Sequence, residues 1–339
     1  MVTLWCGLGG LRYYPQPGQA AELDRFLDRC AAAGVTSLRF YFGFVHFGEP
    51  TVFRLEQGQR PFTPDEALAT FQLYPESEGD PFTDLVAGAH ARDIKVLGYT
   101  SPDFQGALQP NSHSPLGERL PQLFLAEFAN QHPEFWARDA EGQDSLAREG
   151  YIRLSLRFPA VRRHLATALT RLVEGKGLDG LELEWLCGPE DQTPYGHTAE
   201  GGYTQDATHF VRRVGQALPA PARLSTAVED DPRRALAWSY DWAAWAAQDL
   251  VDTLVLRHHG HDAEAIAARV REARALVGAD VYLVSQLDCW RETGFREGTA
   301  LVAAAAAARS AGADLVGVYR ADAVEAYDLW PALAELGAI

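Results

Sequence analysis

The chain has 339 residues, and its 47% hydrophobic and 22% charged content is that of an ordinary globular protein. Its 30 Lys and Arg against 46 Asp and Glu leave a formal charge of −16, which repels phosphate backbones and argues against nucleic acid as a main partner. Lys95 and Lys176 are the two lysines among the 30 basic residues, so imine chemistry, which needs a lysine amine, has two positions to work from.

The N-terminal stretch MVTLWCGLGG has neither a basic leader nor a long apolar run, and the alanine tract near residue 305 is too short to cross a bilayer. Cys6, Cys30, Cys187 and Cys289 are scattered and form no CxxC pair, as expected of free thiols in a reducing compartment. The reading is a cytoplasmic protein with no membrane partner.

Short apolar runs recur at 3–9, 35–43, 94–100, 178–185, 223–228, 251–257, 281–286 and 315–320. Helical stretches near 20–33, 82–92, 159–174, 203–217, 240–248, 262–276, 297–310 and 322–336 alternate with them. Near-continuous apolar runs suit parallel strands buried on both faces. Glycines follow several helices, as in AAAGVTSLRF, GKGLDGLELEW and SAGADLVGVY, where a helix end wants positive φ. Eight β-then-α units predict an α/β fold, a single-domain (β/α)8 TIM barrel over 1–339. A doubly wound sheet would want a Gly-rich turn opening a helix after the first strand, and GLGGLRYYPQPG runs into Pro and Tyr there. The long connections, 44–80, 101–150 and 186–202, follow the second, third and fourth strands. They leave the C-terminal strand ends, where barrels carry their chemistry. Their rings, Phe44, Phe47, Phe104, Tyr195 and Tyr203, either stack on sugars or pack the loops down.

The fourth strand, LDGLELEWL, carries the most chemistry. Alternation puts Leu181, Leu183 and Trp185 on one face and Gly180, Glu182 and Glu184 on the other. Both carboxylates then point into the barrel, roughly 6.5–7 Å apart along the strand, with Glu184 nearer the mouth. Buried carboxylates demand hydrogen bonds or a cation, and Arg39, on the polar face of the second strand with Tyr41, can supply one. Other strand ends add Tyr99 and Asp103, Glu229, then Arg257 and His258 beside His259 and His261, then Gln286 and Asp288 followed by Trp290, and finally Tyr319 and Arg320. Asp230 and Asp231 suit a turn cap, and Asp322 a helix N-cap. The histidine cluster invites a metal, but the first strand, TLWCGLG, lacks the His-x-His of metal-dependent amidohydrolase barrels, so hydrogen-bonding histidines and no metal or other cofactor are expected.

Two carboxylates flanking a cleft are the equipment of glycoside hydrolysis. One protonates the leaving oxygen; the other attacks or activates water, at separations of about 5–5.5 Å or about 6.5–9.5 Å respectively. The expectation is therefore a glycosidase with Glu184 as general acid, and Asp288, Glu182 or Glu229 as its partner. In this expectation the fourth and seventh strands face each other. Arg39, Tyr41, Tyr99, Asp103, Trp185, Arg257, His258, Gln286, Trp290, Tyr319 and Arg320 are the candidates for binding a carbohydrate substrate. The alternatives are a non-catalytic carbohydrate-binding barrel and a lyase or isomerase barrel. An imine lyase is disfavoured because Lys95 opens its strand at the far end and Lys176 lies in a helix-to-strand turn.

The stretches LDRCAAAGVTSLRFYF, FTDLVAGAHARDIKVLGYT, HPEFWARDAEGQ, LSLRFPAVRRHLATALTRLVEGKGLDGLELEWL and SYDWAAWAAQDLVDTLVL cover most of the chain. In them the sequence resembles the glycoside-hydrolase-family-10-like barrel proteins. In that family the fourth strand reads Asp-Gly-apolar-His-aromatic-Asp. Asp179, Gly180, Leu181, Glu182, Leu183 and Glu184 stand in those places, with Glu182 replacing the histidine. The resemblance implies a barrel glycosidase whose strand-end acid is Glu184. The same segment is similar to the Asp-Gly-x-Asp-x-Asp-x-Glu strand of chitinase-type barrels, whose final Glu is Leu186 here.

Overall fold

The computed structural model describes residues 1–6, 20–43, 51–55, 81–109, 122–138, 142–149, 151–185, 203–258, 262–289 and 294–338. In chain order the strands are β1 (Val2–Cys6), β2 (Val35–Tyr41), β3 (Thr51–Leu55), β4 (Lys95–Thr100), β5 (Phe104–Gln109) and β6 (Gln122–Ala126). They continue with β7 (Tyr151–Arg153), β8 (Gly180–Glu184), β9 (Arg223–Glu229), β10 (Thr253–Arg257), β11 (Tyr282–Asp288) and β12 (Leu315–Tyr319). Eight of these close into a barrel in the order β1-β12-β11-β10-β9-β8-β4-β2. Each barrel strand falls on one of the eight apolar runs, and helices flank the barrel, so the fold is the expected (β/α)8 barrel.

The helices form for legible reasons. The helix Pro159–Lys176 opens on a proline and buries Val161, Leu165, Leu169, Leu172 and Val173, an i, i+4 stripe laid on the sheet. It stops at Gly177, whose φ of 64° is the left-handed conformation that ends a helix. Gly34, Gly278 and Gly312, in three further helix-to-strand turns, also have positive φ, at 71°, 71° and 112°. The stretch 322–336, expected as one helix, is broken: Ala321–Ala326 and Trp330–Ala338 are separated around Asp328 at φ 49°. The helix expected near 240–248 is Trp242–Ala247, and a short helix not expected from the sequence, Pro232–Ala237, precedes it, with Ser239 at φ 70° between them. A residue in the left-handed region cannot continue a right-handed helix.

Within the connections expected as long loops, β3, β6, β5 and β7 form a second, four-stranded sheet in that order. Its ladders are antiparallel, with Phe53 opposite Phe124 and Ala107 opposite Tyr151. This sheet arises from the connections after β2 and β4, on the side of the barrel where strand C-termini emerge.

Two cores follow from strand alternation. The larger lies between barrel and helices; the smaller, inside the barrel, comprises Trp5, Tyr41, Tyr99, Ala227, Val255, Val284 and Leu315. Trp5 fills the interior because Gly317 leaves it room: a Cβ at 317 would lie 2.3 Å from the indole and 2.8 Å from the Thr3 carbonyl. Gly317→Ala is expected to destabilise the protein by about 1–3 kcal/mol in urea unfolding. Gly175→Ala, in a helix with nothing within 4 Å of the added methyl, should instead be neutral or stabilise by up to about 1 kcal/mol. Equal effects of the two substitutions would refute the packing argument.

Candidate active site

The barrel interior is built in layers, and its polar centre is Glu182. The residue is fully buried, and its register neighbours are Tyr99 on β4 and Ser225 on β9. Trp5 Nε1 donates to Oε1 at 2.7 Å, Ser225 Oγ donates to Oε2 at 2.9 Å, and Arg39 Nη1 closes an ion pair on Oε2. Arg39 also donates to Ser225 Oγ at 2.8 Å and lies 5.0 Å from the Trp5 ring centroid. Burial lowers the Arg39 guanidinium to about 9, which still leaves it charged at neutral pH. Glu182 is thus enclosed by a cation and two neutral donors, one layer below the mouth.

Glu184 lies one layer above. It is 5% exposed and faces Arg257, whose Nη1 is 3.3 Å from Oε1, while Ser101 Oγ is 3.5 Å from Oε2. Three phenols share this space. Burial, and after it the charge of Glu184, raises Tyr41 and Tyr319; Tyr99 is raised by burial, by Tyr319 and by Glu184. All three stay protonated and act as O–H groups around the carboxylate. Tyr41 hydrogen-bonds Ser101, Tyr319 hydrogen-bonds Tyr99, and the Tyr41 and Tyr99 rings meet edge to face at 5.2 Å.

The barrel order corrects one expectation: the strand four places from β8 is β12, and β11 lies three places away. Glu184 therefore looks across at Tyr319, with Asp288 to one side, beside Tyr319 in the β11–β12 register. Glu229 and Gln286 flank Arg257 in register and are nearly buried, as is Asp288. Glu229 borders a cavity of 240 Å³ together with Arg234, Arg269 and Ile266. Its carboxylate lies 3.8 Å from Arg234 Nε. Asp103 is locked to Arg153, whose Nη1 reaches both carboxylate oxygens at 3.1 Å. That pair ties β7 of the second sheet to the turn after β4.

Other expected contacts point elsewhere. Trp185 faces the helix layer, 1% exposed, against Tyr240 at 4.7 Å and Trp245 at 5.2 Å, with its N–H given to Thr226. A substrate in the barrel mouth does not reach it, because alternation turns it away from Glu184. His258 is also buried, with both ring nitrogens engaged by Asp230 and Ser285. Arg320 pairs with Asp322, which caps no helix; Asp231 does, accepting from the Arg233 and Arg234 amides. Trp290, His259, His261, Phe44, Phe47 and Tyr195 lie outside the described residues. Among the described residues no group of three His, Cys, Asp or Glu side chains is placed to hold a metal ion. Lys95 is exposed at the start of β4 and Lys176 ends a helix, both away from the mouth. Sequence reasoning missed Trp5, Ser101, Arg153 and Ser225. Trp5 and Ser225 share the inward parity of Arg39 and Glu182, a signal that was present in the strands.

No family model and no curated protein matches the sequence. Among solved structures the chain is similar to a noncanonic maltogenic α-amylase from Thermotoga neapolitana, with 11% identity, a TM-score of 0.56, and coverage of 99% of this chain and 75% of that one. It is similar to the PgaB (BpsB) glycoside hydrolase domain from Bordetella bronchiseptica, with 14% identity, a TM-score of 0.57 and coverage of 99% and 98%. A chitinase from Bacteroides thetaiotaomicron matches with 11% identity, a TM-score of 0.53 and coverage of 99% and 96%. At these identities the likeness establishes the fold: a (β/α)8 barrel of the kind found in glycoside hydrolases.

The centre of the barrel yields a direct test. Arg39→Met strands the Glu182 charge and is expected to cost about 3–5 kcal/mol by calorimetric or denaturant unfolding. Adding Glu182→Leu to Arg39→Met should recover much of that loss. A double variant as unstable as the sum of the two single variants would show that the ion pair is not a coupled unit.

Proposed function

We propose that this protein is a glycoside hydrolase that cleaves an O-glycosidic bond of an oligo- or polysaccharide without a metal or cofactor, with Glu184 as the general acid. The observation that carries the reading is the placement of Glu184. Its carboxylate stands at the C-terminal mouth of the barrel among Arg257, Ser101 and three protonated phenols. The fold it sits in, and the resemblance of its strand to family-10-like barrels, support the same assignment.

Glu182 is committed to Arg39, Trp5 and Ser225, which favours Asp288 or Glu229 as the second carboxylate. In this mechanism Glu184 enters as the carboxylic acid, gives its proton to the leaving oxygen as the glycosidic bond breaks and is left as a carboxylate beside Arg257, while the partner attacks the anomeric carbon or takes a proton from the water that does. Tyr41, Tyr99 and Tyr319 orient sugar hydroxyls through their O–H groups, and Arg257 holds Glu184 in place.

Glu184→Gln is expected to lower turnover of a cleavable glycoside by about 10²–10⁴-fold while the circular dichroism spectrum and melting temperature stay near wild type. Asp288→Asn and Glu229→Gln, assayed in parallel, should separate the partner, which loses activity comparably, from the bystander. An unchanged rate for Glu184→Gln would sink the assignment. Saturable sugar binding by wild type with no product after long incubation would favour a non-catalytic barrel.

A further inference from the structure

We propose that His258 is a positioning residue that aligns the mouth from outside the barrel, through Arg257, and does not touch substrate. The proposal rests on the glycosidase reading of the mouth. His258 follows β10 directly, so where Arg257 turns inward to Glu184, His258 turns outward. Its Nδ1 lies 2.7 Å from Asp230 Oδ2, just past the end of β9, and its Nε2 lies 2.8 Å from Ser285 Oγ on β11. One imidazole thus ties three consecutive barrel strands. Each of the three tied residues adjoins an inward one: Asp230 follows Glu229, His258 follows Arg257, and Ser285 precedes Gln286. Glu229, Arg257 and Gln286 form an unbroken register row across β9, β10 and β11. The tie on the outer face therefore fixes the spacing of the row on the inner face.

A carboxylate only accepts, so Nδ1 carries a proton and donates to Asp230, while Nε2 shares a hydrogen bond with the Ser285 hydroxyl. His258 is 4% exposed and Ser285 is fully buried, so loss of the ring removes the imidazole partner of a buried hydroxyl and the donor to the part-buried Asp230. The Asp–His–Ser order imitates a nucleophile triad. Ser285, however, is sealed on the helix-facing side, where no substrate approaches its Oγ. What remains is alignment. Arg257 sits 3.3 Å from Glu184, and displacement of a positioning group by about 1 Å costs on the order of 100-fold in rate.

The test combines kinetics on a panel of aryl glycosides with ¹⁵N-histidine NMR of the whole chain. His258→Phe is expected to lower kcat by about 100-fold with KM little changed. Ser285→Ala should fall between it and wild type, and His258→Asn, which keeps a donor toward Asp230, should recover part of the loss. In wild type the His258 ring should appear as the Nδ1–H tautomer with a slowly exchanging proton. A folded His258→Phe with unchanged kcat, or with a raised KM alone, would overturn the proposal, the latter by marking His258 as a substrate contact. If His258→Phe does not fold, Ser285→Ala and His258→Asn decide by the same split between kcat and KM. If wild type hydrolyses no glycoside, the functional reading fails, and the tie is judged by NMR alone. An Nε2–H tautomer or a rapidly exchanging ring proton would then refute it.

Discussion

The buried pair of Glu182 and Arg39 is the constraint from which the rest of the barrel follows. Removing two charges from water costs several kcal/mol per ion, and their attraction offsets this only when the remaining hydrogen-bonding capacity is filled. Here Trp5 and Ser225 fill that of Glu182. The pair adds little net stability over an apolar core, but it fixes register. A slip of β8 by one residue would turn Glu182 into the helix-facing layer of Leu181 and Leu183, where nothing can pair with it. The same parity commits Glu184 to the interior one layer higher, so the placement of the mouth carboxylate is inherited from the ion pair beneath it.

Above that layer the chemistry is set by which cations and donors the neighbouring strands deliver. The barrel has no lysine at its C-terminal end, so the permanent positive charge beside Glu184 comes from an arginine, whose planar fork holds a carboxylate in a defined orientation. Three phenols add polar groups beside Glu184 without adding charge at neutral pH. Carboxylate, guanidinium and neutral hydroxyls suit recognition of a polyhydroxylated neutral ligand, which presents donors and acceptors but no charge of its own. The second sheet contributes through Arg153, which anchors the turn after β4 by pairing with Asp103.

The eight barrel strands were legible because parallel strands covered on both faces leave continuous apolar runs, and because Gly34, Gly177 and Gly312 mark the turns that feed them. The inward direction of Glu182 and Glu184 was legible from alternation alone. The second sheet was not. Its β3 pairs with β6 across the whole of β4 and β5 in the chain, and strands this short carry no local record of a distant partner. Trp185 and His258 show a different failure. Each directly follows a barrel strand, a position that suggests contact with substrate. Alternation counted from Glu184 and Arg257 places both on the outer face, and that parity is readable in the sequence.

The two inward carboxylates of β8 each have their own arginine, and the difference between the two pairs separates structure from chemistry. Glu182 and Arg39 are closed off, with 0% and 5% of their side chains exposed, and both oxygens of Glu182 are engaged within the barrel. Glu184 and Arg257 form a looser pair at 3.3 Å with 6% and 11% exposed, at the end of the strands where the interior opens. Exchanging a proton with a bound ligand requires a carboxylate that can give up part of its pairing without leaving a buried charge stranded. Glu182 cannot do so, because Arg39 would then be left in the barrel centre with Ser225 as its hydrogen-bond acceptor. Glu184 can, because Arg257 lies at the rim beside Glu229 in the adjoining register position. The lower pair is sealed into the barrel centre, and the upper pair stands where the interior opens.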